Sequence, residues 1–133
     1  MRARGVRVWH DAALAWSLSG GVSWRSLVAE ILAPLPERVW VSFDIDGLDP
    51  SLCPHTGTPV PGGLSWHQAT TLLRALASSG RRIVGFDLCE VAPGPGPAGE
   101  SWDAIVGARL LYKLAGWAIQ GAQRGPRPSK ASS

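Results

Sequence analysis

Residues 42–63 read SFDIDGLDPSLCPHTGTPVPGG, an apolar β-branched run that passes into the carboxylates Asp44 and Asp46 and then into a long Gly/Pro-rich loop. Upstream, Val39, Val41 and Phe43 alternate with Trp40 and Ser42, the period of a buried strand. Asp44 and Asp46 extend that alternation, so side chains two apart are expected to share a face a few ångströms from each other. Two like charges so placed repel unless a cation lies between them. Oxygen ligands of this kind suit magnesium, calcium or manganese. The position matters, because open parallel sheets place ligands at the carboxyl ends of their strands.

The elements around this stretch alternate. Gly5–Trp9 reads as a short strand, and Asp11 opens a helical turn over Ala12–Leu18 that Gly20 and Gly21 stop. Ser23 is an N-cap for a helix over Trp24–Leu32, with Leu27, Val28, Ile31 and Leu32 at helical spacing. Pro34 and Pro36 hand over to a strand at Arg38–Phe43. Ser65 with Gln68 forms a capping-box pattern before a helix buried through Ala69, Leu72, Leu73 and Leu76, with Gly80 as its stop. A strand over Arg82–Leu88 precedes a helix from about Ser101 to Ile119, apolar at Ile105, Val106, Ala108, Leu110, Leu111, Leu114 and Trp117. The pattern predicts an α/β fold, a three-layer αβα arrangement with a parallel sheet. Asp87 and Glu90 would then emerge on the same side of the sheet as Asp44 and Asp46.

Composition bounds the function. The 133 residues are 45% hydrophobic and 17% charged, as expected of one globular domain, and the seven tryptophans need cover in the core or in a partner surface. The net charge is +3 and the isoelectric point near 9.4. Six of the basic residues, Arg2, Arg4, Arg7, Arg124, Arg127 and Lys130, lie near the ends, leaving no basic stripe for nucleic acid. No run is long and apolar enough for a membrane span. Two cysteines and no signal-peptide pattern point to the cytoplasm. Residues 1–120 read as the folded domain and 121–133 as a disordered basic tail.

The string Ser42-Phe43-Asp44-Ile45-Asp46-Gly47-Leu48-Asp49-Pro50, continuing to Thr56-Gly57-Thr58-Pro59-Val60-Pro61-Gly62-Gly63, resembles the signature of the C-terminal half of the ureohydrolase family: arginase, agmatinase and formimidoylglutamase. Gly85-Phe86-Asp87-Leu88-Cys89-Glu90-Val91 looks like that family's next strand, and Trp102-Asp103-Ala104 with its helix also fits. The resemblance implies an incomplete arginase-like fold and a manganese-dependent hydrolase of a guanidino or formimino carbon–nitrogen bond. By position it makes Asp44 and Asp46 metal ligands, Glu90 the carboxylate that holds the substrate's guanidinium, and Thr58 a hydroxyl beside it; His55, in the same loop, could line the pocket. It implies a small guanidino or formimino substrate, a binuclear manganese centre and a homo-oligomer.

The family's Gly-Gly-Asp-His and Asp-Ala-His-x-Asp segments, which supply the remaining ligands, do not occur here. His10-Asp11 matches neither. The isolated chain is therefore expected to be a truncated, inactive form, or a non-catalytic remnant that retains the fold. An unrelated magnesium phosphotransferase is a weaker reading, since Gly47 stands where such a motif wants Thr or Val. Among the other polar residues, Asp49 is expected to fix the turn before Pro50, His67 to lie on the surface, Asp87 to give structural support, and Cys53 and Cys89 to pack as small hydrophobes.

Overall fold

The computed structural model describes residues 5–97 and 100–123. Its elements, in chain order, are α1 (Asp11–Ser19), α2 (Trp24–Leu32), β1 (Arg38–Asp44), a short 3₁₀ turn (Ile45–Gly47), α3 (Trp66–Ser78), β2 (Arg82–Cys89) and α4 (Trp102–Gln123). The two strands pair in parallel, joined through α3, with Asp44 opposite Cys89 at their carboxyl ends. The architecture is the α/β class read from the sequence, a parallel sheet with helices packed on it.

Local chemistry sets the boundaries. The Ser23 hydroxyl accepts from the Ser26 amide, and Ser65 with Gln68 forms the full reciprocal capping box that opens α3. Gly80, at φ +88°, follows the α3 cap in the left-handed conformation that a helix stop favours. Buried Val28 and Leu32 of α2 meet Leu76 of α3 and Ile83 of β2 in one cluster, with Val39 and Val41 packed against it. Leu73 of α3 and Leu110 and Leu114 of α4 form a second, against Phe43, Phe86 and Leu88 of the strands. Val39, Val41 and Phe43 therefore turn to the helices, as alternation requires.

The opposite face of the sheet is open among the described residues. Trp40 is 61% exposed there. Its ring lies across Gly85, its partner in the register, where a β-carbon would come within 2.1 Å of the ring. A slip in the register between Val39 and Trp40 leaves Val84 without a partner and exposed. The outward side of α4 is also bare, with Ile105, Leu111, Tyr112 and Ile119 exposed, so the helix buries only part of its apolar set.

Three expectations change. Gly5–Trp9 forms no strand: Val6 and Val8 are exposed, and the two-stranded sheet gives the segment no backbone partners. The alternation ends at Asp44 rather than running through Asp46, for the packing reason given below. Helix α4 continues to Gln123, so residues 121–123, read as the start of the tail, are helical; residues 124–133 of that tail lie outside the described residues. No helix among the described residues is long and apolar enough to cross a membrane.

The signature loop closes on itself at Leu48 and Leu64, which form an isolated bridge outside the sheet, with Asp49 donating to the Leu64 carbonyl at 2.9 Å and Leu64 donating to the Gly47 carbonyl at 2.9 Å. Gly63 sits inside that crossing, where a β-carbon would fall 2.1 Å from the Leu48 carbonyl oxygen, whereas Gly47 has open space around it. Gly63→Ala is expected to cost about 2–3 kcal/mol in urea unfolding, and Gly47→Ala close to nothing.

Candidate functional site

Ile45 and Leu48 are both fully buried, in a cluster with Cys53, Ala69 and Val106. Two residues three apart can enter one core only if the chain turns helically between them, and Leu48 donates to the Ile45 carbonyl at 3.0 Å. That turn takes Asp46 off the strand. Asp44 stays at the exposed tip of β1, while Asp46 is half-buried and accepts a 2.5 Å hydrogen bond from the Thr58 hydroxyl. The two carboxylates are thus presented from different backbone geometries, not from one strand face.

Glu90 follows directly on β2, beside the strand that carries Asp44. It has φ +64°, the only positive φ outside glycine among the described residues. A β-carbon costs roughly 1–2 kcal/mol in this region. Its carbonyl is fixed by the Thr56 hydroxyl at 2.9 Å, and a carboxylate oxygen lies 3.5 Å from where a β-carbon on Gly57 would stand. Thr56, Gly57 and Thr58 therefore link Asp46 on one strand end with Glu90 on the other.

The loop is held from the far side by α4. Asp103, fully buried, accepts from the His55 amide at 3.0 Å and pairs with His55 Nδ1 at 2.8 Å. A carboxylate only accepts, so Nδ1 carries the proton and Nε2 is the ring nitrogen left free. Trp102 adds a 3.0 Å bond from its indole to the Ser51 carbonyl. Reading residues singly missed this anchor. The clue was an acid at the start of an apolar helix, a position it shares with many ordinary first-turn acids.

No three of the four acids are placed to hold one metal ion among the described residues. Asp87 accepts from Trp40 Nε1 and from the Ser42 hydroxyl, each at 2.7 Å, on the open face of the sheet. Those two bonds, Trp40 first, hold its carboxyl below the usual range. Asp87 is thus a structural support, as expected. Asp49 accepts from the Ser51 hydroxyl at 2.6 Å and amide at 2.9 Å, which lower its pKa and fix the turn. His67 is exposed. Cys53 is buried, and desolvation ahead of the charges of Asp103, Asp46 and Asp49 pushes its thiol up. Cys89, by contrast, is exposed, with its pKa raised by its bond to Asp87, by desolvation and by Asp44.

Hard oxygen donors at Asp44 and Asp46 have the right chemistry for manganese. The set is incomplete: among the described residues no group of three or more His, Cys, Asp or Glu side chains is placed to hold an ion, and Asp46 Oδ2 already serves Thr58. The residues present do not by themselves fit a binuclear centre.

Two outcomes follow from this geometry. Replacing the strained residue, Glu90→Gly, is expected to raise stability by about 1 kcal/mol, read as a higher melting temperature. Asp103→Ala, which orphans the His55 donors, is expected to cost about 3 kcal/mol, with faster amide exchange over residues 53–58 than elsewhere.

The Arginase family model matches residues 19–116. The chain is 42% identical over 96 residues to the N(1)-aminopropylagmatine ureohydrolase of Thermus thermophilus, covering 72% of this chain and 30% of that protein. It is 43% identical over 97 residues to the agmatinase of Chromobacterium violaceum, covering 67% and 29%. Among solved structures, the proclavaminate amidino hydrolase of Streptomyces clavuligerus superposes with TM-score 0.73 at 30% identity, over 90% of this chain and 37% of that one. Arginase from Bacillus subtilis gives 0.67 at 26%, over 84% and 37%. The chain spans about 30% of the length of the curated relatives it matches. With its parallel sheet, its helices and the loop that links the two strand ends, the chain belongs to the arginase (ureohydrolase) family.

Proposed function

We propose that this chain is the part of a manganese-dependent ureohydrolase that supplies two metal-binding carboxylates and the guanidinium clamp, and that alone it performs no hydrolysis. Asp44 and Asp46 would be the ligands. The observation that carries this reading is the link Asp46–Thr58 together with Thr56–Glu90, which gathers a ligand, a hydroxyl and a carboxylate around the ends of adjacent strands.

Within that site each residue has a distinct task. The Glu90 carboxylate accepts charge-assisted hydrogen bonds from a planar guanidinium, a pairing whose geometry a flexible loop would lose. The αL backbone of Glu90, held by Thr56, fixes where that carboxylate starts. Thr58 directs its proton to Asp46, leaving its oxygen to accept from a substrate nitrogen. His55 can meet the substrate only through Nε2, because Nδ1 is bound to Asp103. The substrate class is a small guanidino or formimino compound. Both cysteines are free, in keeping with a reducing cytoplasm.

A second reading, a non-catalytic remnant that keeps the fold, is favoured by the incomplete ligand set. Calorimetric titration with manganese separates the two. The enzyme-derived reading expects weak binding that Asp44→Asn and Asp46→Asn each diminish, and no urea released from agmatine or arginine. Two tight sites, or urea release by the purified chain, would overturn the inactivity; weak binding indifferent to both substitutions would establish the remnant.

A further inference from the structure

We propose that His55, seated by the buried Asp103, is a positioning residue for Glu90: its imidazole wedges the backbone that carries this carboxylate and so sets the grip on a guanidinium. The inference rests on the reading of Glu90 as the guanidinium clamp.

Asp103 directs both of its carboxylate oxygens to one residue. Oδ2 accepts the His55 amide at 3.0 Å and Oδ1 accepts from Nδ1 at 2.8 Å, with the acid fully buried and the imidazole 39% exposed. A buried carboxylate is costly unless it is paired and hydrogen-bonded, and the amide bond alone would tether the loop. The second bond does something further: it fixes the ring.

That ring has a seat. Gly94 has φ +65°, and a β-carbon there would stand 2.7 Å from Nδ1, 2.9 Å from Cγ and 3.0 Å from Cε1 of His55, so the imidazole lies directly against the Gly94 backbone. Glycine alone combines that conformation with that clearance. His55 is thus held between α4 on one side and the segment leaving β2 on the other.

Glu90 lies within this frame. Thr56, next after His55, is buried and donates its hydroxyl to the Glu90 carbonyl at 2.9 Å. Gly57 follows, with the Glu90 Oε2 3.5 Å from where its β-carbon would stand. Residues 90–94 are therefore bracketed, at Glu90 by Thr56 and at Gly94 by the ring. A non-glycine residue at φ +64° stays there only when its surroundings hold it in this way. Asp44 and Asp46 are placed by other contacts, the strand register and the buried Ile45–Leu48 turn. The wedge accordingly governs the grip on substrate and not the two metal-binding carboxylates.

The test uses the whole polypeptide, with NMR as readout and agmatine and manganese as separate probes. The coupling between the amide and α protons of Glu90 reports its φ without any ligand. His55→Ala, and separately Gly94→Ala, which pushes the ring from the other side, are expected to shift that coupling. Both should weaken agmatine binding about tenfold, roughly the worth of one hydrogen bond to a charged group, and leave manganese binding as in the parent. Asp103→Asn is expected to keep the parent coupling and affinity, because its side chain still accepts from the His55 amide and donates to Nδ1; ring nitrogen shifts then show the proton moved to Nε2. An unmoved Glu90 coupling in both His55→Ala and Gly94→Ala overturns the proposal, as does an equal loss of manganese binding, the mark of general loosening. A shifted coupling in a protein whose parent binds no agmatine upholds the wedge and overturns the reading of Glu90 as the clamp.

Discussion

The burial of Ile45 and Leu48 is the constraint on which the site depends. Both side chains enter the cluster built from Cys53, Ala69 and Val106, and the only backbone that admits them is one tight turn at the tip of β1. That turn decides where each acid goes: Asp44 remains on the strand, and Asp46 swings toward the loop, into reach of Thr58. Hydrophobic burial here is doing the positioning that a functional site would otherwise need from polar contacts, and it does so without using up Asp44.

The loop between Asp49 and Gly63 is long, yet it is held at both ends and in the middle. Asp49 closes its first turn, the Leu48–Leu64 bridge closes its exit, and α4 holds its centre through Trp102 and the buried Asp103. The consequence is felt at Glu90. A loop fixed in this way can present the Thr56 hydroxyl to the Glu90 carbonyl and so sustain a backbone conformation that a free chain would leave. Strain at that residue is the mark of a position that the surrounding structure over-determines.

The two halves of the molecule are in different states of completion. On the helical side, α2, α3 and α4 close over Val39, Val41, Phe43, Phe86 and Leu88. On the other, the sheet has two strands among the described residues and Trp40 is exposed.

Much of this was written in the chain itself. Ser23, Ser65 with Gln68, and Gly80 each act locally, through hydrogen bonds or backbone preference within a few residues, and they mark the ends of α2 and α3 as read. The spaced leucines of α3 and the alternating residues of β1 fix which faces are apolar, and the 42–63 string identifies the family. What tertiary structure decided was everything that needs a distant partner. Gly5–Trp9 has the composition of a strand but no neighbour to pair with, and Asp46 leaves the alternation because a core assembled from α3 and α4 draws in Ile45 and Leu48. Asp87 is claimed by Trp40 and Ser42 across the sheet, and His55 is oriented by an acid 48 residues away. Periodicity reports on one element at a time, whereas these assignments depend on which side chains the packed elements bring within hydrogen-bonding distance.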